Sequence, residues 1–255
     1  MPKNLSETEK EPKFLKYFSN KKITKSAFSY KEAALSDFTV LGYICQTMIM
    51  SDEMMNAIHK SLYLAGEDPG SKPKKRSKIF QRNYSQTMLE MVFSRLVDNF
   101  NKYLVDIIEE ILLVKPEIMS SSEQTISTEE VLKIGNHQNL IHYLIEKKIR
   151  SLSNKGLEDI RKWCDNKGIP FDVKQNAVST IKEMMATRNI IVHNRCLIDK
   201  GYINIVGKTA FSEGEKREIE YPYLFKAYDS LTKVVFDTDS MVIKKYGVKS
   251  SKHNG

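Results

Sequence analysis

The sequence is poor in the residues that define several protein classes. It has 3 cysteines, 11 glycines, 7 prolines and 1 tryptophan among 255 residues. Such low glycine and proline usage excludes collagen-like and low-complexity chains. Cys45, Cys164 and Cys196 are odd in number and far apart, which argues against a disulfide scaffold, a zinc knuckle or a C-x-x-C redox pair. The expectation is three buried or inert thiols in a reducing compartment. Long apolar runs are scarce too. The most continuous one, Val105 to Val114, is interrupted by Asp106, Glu109 and Glu110, and is short of the roughly 18 residues a membrane span requires. No apolar leader-type stretch follows Met1. The reading is a soluble, cytoplasmic protein with no membrane partner.

What is present is charge and helical periodicity. Hydrophobic residues make up 41% and charged residues 28%, with a formal net charge of +8. The positive charge is segregated. Residues 1–26 carry +4, residues 71–82 carry +6 and residues 244–253 carry +4, which leaves −6 on the remaining body. Four regions follow from composition and punctuation. Residues 1–26 read as a basic, mostly disordered arm with one short helix around Lys13 to Ser19. Residues 27–78 read as a helical extension, with a helix opening at Asp52 and Glu53 and a basic linker from Gly66 to Lys78. Residues 79–246 read as the main helical domain, and residues 247–255 as a tail.

The clearest pattern is the series Leu89, Phe93, Leu96, Phe100, Leu104, Ile107 and Ile111. Its spacings of three and four predict a helix of about thirty residues. Ser127 and Glu130 have the spacing of a capping box. Further helices are expected around Leu140–Leu152, Leu157–Trp163, Asp172–His193 and Tyr223–Tyr246. The β-prone run Tyr202 to Val206 and a turn near Ser212–Glu215 leave room for a small β-hairpin within 202–221. The expected class is all-α, with long antiparallel helices and that one β excursion.

The stretch Thr187 to Arg195 concentrates chemistry. At about 100° per residue, Arg188 falls among Ile181, Met184, Met185 and Val192, where a guanidinium must pair with an acid, reach out to water or face an anion-binding cleft. Asn189 and His193 are four apart and neighbour one another on the helix edge. A permanent cation, an amide and a titratable imidazole on one helix end suit phosphodiester chemistry, with charge stabilisation by the arginine and proton transfer by the histidine.

Arg188-Asn189-Ile-Ile-Val-His193 resembles the R-x4-6-H signature of the HEPN superfamily, including its polar residue after the arginine. Asn194 and the run Leu197 to Tyr202 are also similar to HEPN ribonucleases of bacterial conflict systems. The resemblance covers residues 79–246. It implies a helical bundle that forms a homodimer with two motifs facing one another. It further implies metal-independent cleavage of RNA by 2′-OH attack, with Arg188, Asn189 and His193 as the catalytic set and no cofactor. The setting it suggests is a toxin or antiviral defence effector, with an antitoxin or another defence-system protein as partner. HEPN domains also include non-catalytic modules that bind RNA or protein and dimerise.

Two structural readings compete. Arg188 would pair with an acid such as Glu110, and His193 would sit at a helix C-terminus favoured by the macrodipole. Lys72, Lys74, Lys75, Arg76, Lys78 and Arg82 form a basic patch that reads as a solvated linker or as an RNA-steering arm. His137 and His142 are five apart and do not share a helix face, and neither H-E-x-x-H nor an EF-hand pattern occurs, so no metal site is expected. The glycines from Gly66 onward do not have P-loop spacing.

Overall fold

The computed structural model describes residues 16–17, 22–120, 126–171, 175–207 and 209–250. The expected helix around Lys13 to Ser19 lies largely outside the described residues, as do residues 251–255 of the tail. Nine α-helices occur among the described residues, and no strand does. The protein is all-α.

The first helix departs from expectation. α1 (Lys25–Leu64) is one continuous helix of 40 residues, about 60 Å long at 1.5 Å per residue. Thr24 caps it: its hydroxyl accepts from the Ala27 N–H at 3.2 Å. The same Thr24 hydroxyl donates to Asp239 at 2.5 Å. Residues 23–26 are thus embedded, with Ile23, Thr24 and Ser26 buried, rather than belonging to an arm. Asp52 does not open a helix. It accepts from the Arg76 and Ser77 N–H groups at 2.5 and 3.2 Å, and so caps α2 (Arg76–Asn83) from across the hairpin. The Ala27, Tyr30, Ala34 and Leu41 side of α1 is buried, whereas none of residues 42–64 is.

α1 also corrects the reading of apolar runs. By length and composition it is apolar enough to cross a membrane, with an 18-residue window of mean hydropathy 1.3 of which 17% is buried. Ala33 to Met50 carries a single charge, Asp37. Interspersed Ser, Thr, Gly and Gln disguise the run to the eye.

α3 (Ser85–Val114) is the central helix, packed against α1, α5, α7 and α9. All seven residues of its predicted stripe are buried, joined by Val92, Val97, Tyr103, Ile108 and Leu112 on other sides. It runs antiparallel to α1. Arg95 Nε pairs with Asp37 at 2.7 Å near one end, and Glu110 accepts from the Ser26 N–H at 2.7 Å near the other. Glu110 therefore serves the start of α1 and is not the acid that holds Arg188.

Short helices follow. α4 (Thr128–Ile134) opens with the expected capping box of Ser127 and Glu130 and ends at Gly135 in the left-handed region. α5 (His137–Ser153) and α6 (Leu157–Asn166) bury Ile145, Leu152, Leu157 and Ile160. α7 (Gln175–Asn194) carries the Arg188 motif, and α9 (Tyr221–Tyr246) closes the bundle with Leu224, Tyr228, Leu231, Val235 and Val242 buried.

The region 202–221 is corrected in part. Tyr202 to Val206 lies within α8 (Lys200–Val206), not a strand. Asp199 caps it by accepting from the Tyr202 N–H at 2.7 Å, and Tyr202 packs with Ala186, Ile190 and Ile198. A local cap and burial override β propensity, which is itself largely a packing preference. An isolated antiparallel bridge does form, but between Leu197 and Lys216.

Candidate functional site on helix α7

The buried side of α7 is Val178, Ile181, Met184, Ala186, Thr187 and Ile190. Val192 is 49% exposed, so Arg188 sits at the border of the apolar arc rather than in its middle. Ala186 and Ile190 are drawn inward by α8, whose packing has no signature in the periodicity of α7 alone.

Arg188 answers the pairing question directly. Its Nε lies 2.8 Å from Asp98 Oδ1 and its Nη2 donates to Asp98 Oδ2 at 3.2 Å. Nη1 donates to Asn189 Oδ1 at 3.3 Å. A guanidinium has five N–H donors in a rigid fork, so the edge facing Asp98 is used while N–H groups remain for another anion. Side-chain exposures of 25% for Arg188 and 46% for Asp98 leave the pair within reach of solvent, and Arg188 lines a cleft.

That cleft has a volume of about 890 Å³. Arg188, Asn189 and His193 all line it, together with Lys182 of α7, Asn101 of α3, Asn154 and Lys155 of the α5–α6 turn, and Asn204 of α8. Asn189 and His193 are exposed, and no hydrogen bond or ion pair engages the His193 ring among the described residues. Lys182 pairs with Glu158 at 2.7 Å. The lining, which includes Glu158 itself, thus offers cations, amides, one imidazole and one carboxylate around a space large enough for a nucleotide-sized ligand.

The chain leaves α7 under backbone strain. Arg195 and Cys196 adopt φ of 51° and 65° without being glycine, a conformation that costs an L-residue roughly 1–2 kcal/mol. Cys196 N–H closes the helix end on the Ile190 carbonyl at 2.9 Å, and the Asn194 amide donates to the Leu197 carbonyl at 2.7 Å. These bonds fix the turn immediately after His193.

Beneath the turn, Glu183 is the hub of a second polar group. It accepts from Arg217 Nη2 at 3.0 Å, Tyr223 Oη at 2.8 Å, Tyr202 Oη at 3.3 Å and Thr187 Oγ1 at 3.3 Å. The Arg217 guanidinium lies over the rings of Phe211 and Tyr223, 4.4 and 4.5 Å from their centroids. The cluster ties α7, α8, α9 and the 209–220 segment together behind the cleft.

The basic patch has its own surface. Lys72, Lys74, Lys75, Lys78 and Arg82 line a concavity of about 710 Å³, with no acidic residue in its wall. Arg76 is not part of that lining, and the patch shares no lining residue with the α7 cleft. Cys164 and Cys196 are buried, which pushes both thiols up to about 12. Cys45 is half-buried, with its sulfur 3.9 Å from Tyr221 Oη. Among the described residues no group of three or more His, Cys, Asp or Glu side chains could hold a metal ion.

The candidates named from the sequence, Arg188, Asn189 and His193, line one cleft, whereas Asp98, Lys155 and Lys182 were not singled out there. Lys182 was within reach, because residues 182, 185, 186, 189 and 193 share one side of a helix. Asp98 carried no signal, being one polar residue among several on α3. No protein-family model, no curated protein and no solved structure matches the chain.

Proposed function

We propose that the protein is a metal-independent endoribonuclease of HEPN type. The observation that carries this reading is the shared cleft of Arg188, Asn189 and His193, walled by Lys155 and Lys182. His193 takes the proton of a ribose 2′-OH, the 2′-oxygen bonds to phosphorus, and the bond from phosphorus to the 5′-oxygen breaks. An imidazolium from a second copy of the motif returns a proton to the leaving 5′-oxygen, and a 2′,3′-cyclic phosphate remains. Arg188 offers its free N–H groups to the pentacoordinate phosphate, where charge stabilisation is worth most. Asp98 holds the guanidinium in register, and Asn189 orients it. Arg188 and His193 lie about 140° apart around one helix, so two copies of the motif enclose a phosphate better than one. Such an enzyme acts as a toxin or antiviral effector, restrained by a partner protein.

Incubation of the chain with single-stranded RNA in EDTA tests the proposal. Cleavage to cyclic-phosphate ends is expected, and His193→Ala lowers it at least about a hundredfold with unchanged thermal unfolding, since the ring is exposed. Equal cleavage by the variant refutes the assignment.

A second reading has its own support. Asp98 already occupies one edge of Arg188, which favours a non-catalytic module that binds RNA or protein. That reading predicts no cleavage with any divalent ion but salt-dependent retention of RNA.

A further inference from the structure

The outer half of α1 carries an ordered apolar seam that the monomer leaves open. Val40, Tyr43, Thr47, Met50, Met54, Ala57, Ser61 and Leu64 follow spacings of 3, 4, 3, 4, 3, 4 and 3. All eight are exposed, and Val40, Tyr43, Met50, Met54 and Leu64 are 54–74% exposed. An alternating three-and-four spacing over more than three heptads keeps one seam aligned with another helix, as in a coiled coil. α1 thus has one apolar side in the core up to Leu41 and a second apolar side beyond it, and each needs a partner. The inner partner is the bundle. Nothing in the chain described here covers the outer one.

We propose that the occupant is the same segment of a second copy, joined seam to seam. A fully buried apolar side chain hides roughly 100 Å². The five large apolar seam residues, Val40, Tyr43, Met50, Met54 and Leu64, on each of two copies therefore remove on the order of 1,000 Å², the lower end of the range for a specific interface, with Thr47, Ala57 and Ser61 as the small positions between them. One flank of the seam, Ile44 and Ile58, adds apolar cover, while Gln46, Glu53 and Lys60 form the polar flank. A lipid surface fits less well. Asp52 faces the basic helix α2, and Met50 and Met54, two residues to either side, point about 160° away around the helix. The cations of residues 72–82 thus lie behind α1, where they cannot meet headgroups while the seam is inserted. Glu53 and Lys60 would also be dragged out of water. This proposal does not rest on ribonuclease activity.

Sedimentation equilibrium of the full chain tests it. The wild type is expected at twice its 29.4 kDa mass. Met50→Lys and Met54→Lys each raise the dimer dissociation constant about thirtyfold or more, with unchanged helical circular dichroism because both side chains are exposed. Ile49→Lys, an exposed apolar residue one step off the seam, keeps the dimer. A monomeric wild type overturns the proposal, and so does equal weakening by all three substitutions. Binding of the wild-type monomer to phosphatidylglycerol vesicles through the same residues overturns it in favour of a membrane. The masses are read without any RNA and so do not depend on cleavage by His193; a dimer that survives both Met50→Lys and Met54→Lys is held elsewhere, as by facing α7 motifs, and overturns the proposal.

Discussion

At the scale of single residues, burial and hydrogen bonding contend most visibly at Asp239. Burial pushes its carboxyl up to about 6, from an ordinary 3.8, against the two Thr24 donors that favour the charged form. Between those pH values the folded chain holds a proton that the unfolded chain has released. Rising pH therefore favours unfolding: the contribution is full below about pH 4 and is lost as pH passes 6. Denaturant melts at pH 4 and pH 7 should show Asp239→Asn flattening this dependence by up to about 3 kcal/mol relative to the wild type. The pair is 215 positions apart in sequence, and neither Thr24 nor Asp239 announces it. Arg188 is the contrasting case. Its need for a partner was legible from its place on an apolar helix, but the partner was not, because α3 presents several carboxylates and only packing brings Asp98 rather than Glu110 to it.

At the scale of elements, the helices follow from local rules wherever periodicity is strong and caps are near. The α3 stripe, the Ser127–Glu130 box and the ends of α5 and α6 were all readable in this way. The outcome differed where a cap came from elsewhere: Asp52 looks like the start of a helix but serves the N-terminus of α2, 24 residues on. The polar hub at Glu183 is an element-level device too, since it clasps three helices and one loop. Glu183→Ala leaves the largely buried Arg217 without its acid, and removing one partner of a buried pair typically destabilises by about 3–5 kcal/mol. Thermal unfolding should report that loss. Amide exchange should show extra opening concentrated in α8 and residues 209–220 rather than in α3.

At the scale of the whole molecule, net charge is an average over unlike parts. The basic concavity of Lys72, Lys74, Lys75, Lys78 and Arg82 sits on the α1–α2 hairpin, apart from the α7 cleft. If it gathers RNA, replacing Lys74, Lys75 and Lys78 by Gln lowers affinity for every sequence alike. The slope of log K against log salt should fall by about 0.7 for each single-strand phosphate contact removed. Filter binding at several salt concentrations measures this. An unchanged slope assigns the patch to solvent.

Composition and periodicity determined the all-α class and the central helix, and side-chain chemistry along one helix singled out Arg188, Asn189 and His193 as candidates. They could do so because helix period, capping and side-chain chemistry are properties of neighbouring residues. Only the tertiary structure decided that Asp98 grips Arg188, that α8 replaces a strand, and that one side of α1 enters the core while the other stays open. Each of these depends on which distant surface arrives to bury a group or satisfy its hydrogen bonds, and spacing along a chain does not encode that arrival.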